Sequence, residues 1–90
     1  MTPAFTLGID YGTNSVRAIV VDCRDGSTVG TQVFDYPSGE QGVLLAPGDP
    51  HLARQNPADY LEGLRVSVGG ALSAADRHPG FARDRVIGIG

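Results

Sequence analysis

Eight consecutive residues hold most of the chemistry in this sequence: Asp10-Tyr11-Gly12-Thr13-Asn14-Ser15-Val16-Arg17. A carboxylate closes one apolar stretch, a glycine turns the chain, hydroxyl and amide side chains crowd the tip, and an arginine opens the next stretch. Polyphosphate binding uses these parts. Backbone N–H groups at a tight turn make an anion-binding concavity, and Gly12 lets oxygens approach the main chain with no Cβ in the way. Thr13, Asn14 and Ser15 add side-chain hydrogen bonds, and Arg17 adds a charge-assisted one. Asp10 suits Mg²⁺ held through water, because that ion sheds its hydration shell reluctantly. The same eight residues also suit an ordinary hairpin turn, since Asp, Asn and Gly favour such turns for local reasons.

Two better-known phosphate sites are excluded. No Gly-x-x-x-x-Gly-Lys segment occurs, so this is not a P-loop. Gly8-Ile9-Asp10-Tyr11-Gly12 leads into a second strand pattern and not a helix, which argues against a Rossmann dinucleotide site.

The elements around the turn read clearly. Residues 5–10 and 16–22 are apolar and β-branched, and 28–36 alternate loosely between apolar and polar, so these three predict an antiparallel meander. Residues 37–55, rich in Gly and Pro, show little periodicity and predict a long loop of the kind that is usually functional. Asn56 as N-cap, Pro57 at the first helical position and Asp59 behind them start a helix over about 57–78. Leu61, Leu64, Val68, Ala71, Leu72 and Ala75 define its expected apolar stripe, Arg77 and His78 sit at its negative end, and Pro79-Gly80 stops it. Gly69-Gly70, costly in a helix, suggests close packing on a sheet. Residues 85–90 begin a strand that, reached through a helix, is expected to run parallel to an earlier one.

Composition narrows the function. At 90 residues, 41% hydrophobic and 19% charged, the chain is at most one small globular domain. A net charge of −3 with scattered basic residues offers no stripe for nucleic acid. No apolar run approaches membrane-spanning length. Cys23, the sole cysteine, has no internal disulfide partner, which fits a cytoplasmic home, and a reactive thiol is not expected there. His51 and His78 lack partners at metal-ligand spacing.

Asp10-x-Gly12-Thr13-x-Ser15-x-Arg17, set in the order strand, strand, strand, helix, strand, resembles the start of the actin-like ATPase (ribonuclease H-like) fold. Within that superfamily the chain resembles the FGGY family of carbohydrate kinases, whose members act on glycerol, xylulose and ribulose. Leu7 to Ala18 followed by Val20-Val21-Asp22 is similar to the family's first phosphate motif, and the resemblance covers essentially all 90 residues. Asp22-Cys23 with Asp25-Gly26, Tyr36-Pro37 and Ala53-Arg54-Gln55-Asn56-Pro57-Ala58-Asp59-Tyr60-Leu61-Glu62 are most similar to the kinases of ribulose. The resemblance implies an α/β domain in part: the amino-terminal piece, residues 1–90, of the first kinase lobe. It implies ATP and Mg as cofactors, Asp10 serving the metal, and Gly12, Thr13, Asn14, Ser15 and Arg17 holding the nucleotide phosphates. L-ribulose is the implied acceptor, with xylulose, ribitol, glycerol or a non-kinase actin-like ATPase as alternatives. No catalytic residue corresponds to any of these 90, so the piece alone is expected to be inactive. Its expected partners are a small sugar and ATP, with neither nucleic acid nor membrane, and a homo-oligomer formed through exposed sheet surface.

Overall fold

The computed structural model describes residues 3–37, 43–46, 49–55 and 57–90, with the backbone alone over 43–46 and 49–55. Strands β1 (Phe5–Tyr11), β2 (Ser15–Asp22) and β3 (Thr28–Asp35) form the expected antiparallel meander. After them come β4 (Val43–Ala46), β5 (Asp49–Gln55), helix α1 (Pro57–Ala75), a 3₁₀ turn at Arg83–Arg85 and strand β6 (Val86–Ile89). The main sheet has the order β3-β2-β1-β6, and β6 runs parallel to β1. Three antiparallel strands, a helix and a parallel strand make the α/β arrangement expected of a partial ribonuclease H-like domain.

Two expectations change. The 37–55 segment is not loop throughout: β4 and β5 pair antiparallel, with Leu44 opposite Arg54. Its glycines and prolines hid a short two-stranded sheet that apolar periodicity does not reveal. Asn56, the expected N-cap, lies outside the described residues.

The apolar stripe of α1 is also rotated from the expected one. The residues buried along the helix are Asp59, Gly63, Ser67, Ala71 and Ala75, a ridge at every fourth position, while Leu61 is 72% exposed. Leu64, Val68 and Leu72 flank that ridge, half-buried. The reason is close approach to the sheet. A Cβ on Gly63 would lie 2.5 Å from Val16 Cγ1 and 3.0 Å from a Phe34 ring carbon, and one on Gly30 of β3 would collide with the Ala71 carbonyl. Small residues on the line of contact let the helix backbone sink, so the larger apolar groups straddle it. Gly70 meets this expectation against Gln32, and Gly69 faces open space.

Phe5, Leu7, Ala18 and Val20 fill the space beneath Ala71 and Ala75, joined at the margin by Ile9, Val29, Val68, Leu72, Phe81 and Val86. Phe81, just past the helix, stacks edge-on against Phe5 with ring centroids 4.9 Å apart. The helix ends at Ala75, whose carbonyl accepts the His78 N–H, and Gly80 turns the chain at φ +88°. Arg77 and His78 therefore lie just beyond the last turn. Among the described residues, no helix is long and apolar enough to cross a membrane.

Candidate functional site

Alternation along β1 and β2 decides which side chains are offered to a ligand. Phe5, Leu7, Val16, Ala18 and Val20 are buried against α1. Their neighbours Thr6, Gly8, Asp10, Arg17, Ile19 and Val21 fall on the opposite face, as period-two strands require. Asp10 pairs directly with Arg17 in the ladder, and Gly8 with Ile19. A depression of about 290 Å³ opens there, lined by Gly8, Ile9, Asp10, Arg17, Ile19 and Gly90. Gly8 and Gly90 contribute only backbone to it, the Ile19 side chain lies over Gly8, and the backbone of Gly90 is bonded to Ile9 and Leu7 beside it. A second depression, of about 460 Å³, continues along the same face over Thr6, Gly8, Ile19, Val21, Gly88 and Ile89.

The two charges at the mouth are both solvent-exposed. Ion pairs among the described residues join Asp22 to Arg24, Glu62 to Arg65 and Asp76 to Arg83, and none of them engages Asp10 or Arg17. A carboxylate and a guanidinium on one face, not locked to each other, can take a metal ion and an anion side by side. No group of three His, Cys, Asp or Glu residues at metal-binding distance occurs among the described residues. A cation at Asp10 would thus draw its remaining ligands from water and phosphate, which suits Mg²⁺.

The turn itself is tightly closed. The Gly12 N–H donates to the Ser15 carbonyl at 2.8 Å, so it is spent within the turn and is not offered to an anion. A Cβ at Gly12 would stand 3.3 Å from that same carbonyl, which is why glycine suits the position. Gly12, Thr13 and Asn14 are exposed at the tip and Ser15 is half-buried at its base. The carbonyl of Asn14 accepts the Tyr36 N–H at 3.0 Å, tying the tip to the end of β3. The fold thus gathers all six sequence-nominated residues at one end of the sheet, with Asp10 and Arg17 on its helix-free face.

Sequence reasoning gives Tyr60 a half-buried packing role on the first turn of the helix, as observed, but does not connect it with Tyr11 and Tyr36 behind the tip. Tyr11, Tyr36 and Tyr60 cluster, with Tyr60 5.3 Å from Tyr11 and 5.4 Å from Tyr36 between ring centroids. The Tyr11 hydroxyl donates to the Tyr60 carbonyl at 3.3 Å. Tyr36 is 4% exposed, and its hydroxyl finds no hydrogen-bond partner among the described residues. Burial pushes its ionisation above the usual tyrosine range, and the neighbouring Tyr60, Tyr11 and Asp59 add to the shift. The only sequence signal was the run of tyrosines at the ends of three separate elements.

The helix-backed mixed sheet and its hairpin form an α/β arrangement consistent with the ribonuclease H-like fold class. No protein-family model matches the chain. Individual relatives do: it is 40% identical over 90 residues to a ribulokinase of Shouchella clausii, covering 96% of this chain and 15% of that protein. To a ribulokinase of Halalkalibacterium halodurans it is 37% identical over 94 residues, covering 100% of this chain and 16% of that protein. To one of Mycolicibacterium smegmatis it is 35% identical over 94 residues, covering 98% and 16%. The chain spans about 15% of the length of these curated relatives. Over essentially its whole length the chain is similar to these ribulokinases.

Proposed function

We propose that this chain supplies the nucleotide-phosphate hairpin of an ATP-dependent sugar kinase of the FGGY family, which converts L-ribulose to L-ribulose 5-phosphate in the cytoplasm. The observation that carries this reading is the direct pairing of Asp10 with Arg17 on the face of the sheet that α1 leaves uncovered, where both line one depression. The similarity to ribulokinases supports the acceptor.

Phosphoryl transfer asks for positioning and charge stabilisation more than for covalent chemistry from the protein. Arg17 would hold phosphate oxygens by charge-assisted hydrogen bonds, and the side chains of Thr13, Asn14 and Ser15 would fix their orientation. Asp10 would retain Mg²⁺ through water, and the bound Mg·ATP would supply the transferred group and neutralise its charge. Gly12 serves by closing the turn, since its N–H is engaged internally. The catalytic base and most sugar contacts are assigned to parts of the full-length protein beyond these 90 residues.

The test is turnover by the full-length protein with ATP, Mg²⁺ and L-ribulose. Asp10→Ala is expected to lower kcat by ~10²–10³-fold, the scale of losing one key electrostatic contact, with the melting temperature kept. Near-normal turnover by that variant removes Asp10 from the site.

A further inference from the structure

Asp10 and Tyr11 are consecutive in β1 and so project to opposite faces of the sheet. Asp10 lines the depression, whereas Tyr11 reaches α1 and donates its hydroxyl to the Tyr60 carbonyl, 49 residues away. Tyr11 remains 46% exposed, so the burial of its ring alone does not account for its placement. Its contacts are specific: an edge-on ring packing at 5.3 Å and interplanar angle 63°, and one hydroxyl tether. A second anchor lies across the tip, where the Tyr36 N–H holds the Asn14 carbonyl and the Tyr36 ring packs on Tyr60. Both anchors converge on Tyr60, in the first turn of α1.

We propose that Tyr11 is a positioning residue for phosphate binding: its hydroxyl, fixed to the Tyr60 carbonyl, docks the end of the hairpin on α1 and so sets where Thr13, Asn14 and Ser15 stand relative to the ladder-paired Asp10 and Arg17. This rests on the reading of the hairpin as a Mg·ATP site. A β-hairpin tip on two strands is soft by itself, because few buried contacts restrain it. Gly12, Thr13 and Asn14 are exposed at the tip, and docking the base of the hairpin on α1 adds restraint there. The tether supplies it without entering the ligand's face.

The test compares full-length wild type with Tyr11→Phe, which keeps the ring packing and deletes only the hydroxyl. Mg·ATP affinity is read by calorimetry, and KM for ATP and for L-ribulose by steady-state kinetics. The expected result is a roughly three- to tenfold weakening of Mg·ATP binding, the scale of one hydrogen bond. KM for ATP is expected to rise in parallel, with KM for L-ribulose and the melting temperature unchanged. Equal affinity in Tyr11→Phe and wild type overturns the tether, as does a fall in melting temperature with both KM values rising together. Absence of Mg·ATP binding by the wild type overturns the hairpin's function and the tether with it, whereas a loss of the tether effect in a protein that binds Mg·ATP overturns the tether alone.

Discussion

Asp10 and Arg17 stand opposite each other in the β1–β2 ladder, on the face that α1 leaves uncovered, and neither is engaged in an ion pair among the described residues. Across an antiparallel pair, opposed residues lie within about 5.5 Å at Cβ, close enough for one polyphosphate and its metal to bridge them. The relationship follows from register. A one-residue slip of either strand would turn its charge into the helix interface and part Asp10 from Arg17. The hydrophobic alternation Phe5, Leu7 and Val16, Ala18, Val20 prevents that slip by fixing the buried face. The core thereby sets where the charges point.

The helix-to-sheet contact makes opposite predictions for three glycines. Gly30→Ala places a methyl group against the Ala71 carbonyl, and Gly63→Ala places one against Val16 and Phe34. Each is expected to destabilise the full-length protein by about 1–3 kcal/mol, as overpacking does. Gly69→Ala meets nothing within 4 Å in the helix interior and is expected to stabilise by up to about 1 kcal/mol. Chemical denaturation of the three variants checks the signs.

Asp22 gives a pH dependence. The Arg24 guanidinium and the Arg24 N–H bind its carboxylate and lower its pKa from 3.8 to about 2. The folded state thus prefers the charged form, so this contribution is complete above about pH 4 and is lost as pH falls towards 2. Arg24→Ala is expected to move the Asp22 midpoint upward, leaving the backbone bond as the remaining restraint. Carbon-detected titration of the carboxyl group reads it. An unchanged midpoint would show that the backbone N–H dominates.

The buried Tyr36 hydroxyl predicts a gain from removing it. An unpartnered buried donor carries a desolvation cost of ~1–3 kcal/mol, so Tyr36→Phe is expected to raise the melting temperature while keeping the N–H bond to Asn14. In spectrophotometric titration of the wild type, Tyr36 is expected to ionise above the usual range. A drop in melting temperature for Tyr36→Phe would show that the hydroxyl has a partner in the intact protein.

Much of this arrangement is legible in the sequence because its signals are local. Strand alternation and turn formers mark the meander, and Pro57 and Pro79-Gly80 bracket the helix. The order of side chains from Asp10 to Arg17 is enough to nominate the site. What was not legible depends on non-local approach. The helix buries Gly63, Ser67 and Ala71 in place of Leu61 because of what β2 and β3 present to it, which helical periodicity does not encode. The β4–β5 pairing lacked an apolar alternation to announce it. The Tyr11–Tyr60 tether joins residues 49 apart, and no spacing rule connects them.

The most direct measurement is calorimetric titration of Mg·ATP into the full-length protein and its Arg17→Ala and Asp10→Asn variants. Wild type is expected to bind. Arg17→Ala should lose roughly ten- to hundredfold in affinity, the scale of a charge-assisted hydrogen bond. Asp10→Asn should weaken binding only when Mg²⁺ is present. Full affinity in both variants, or no binding by the wild type, would contradict the assignment of this hairpin to the nucleotide phosphates.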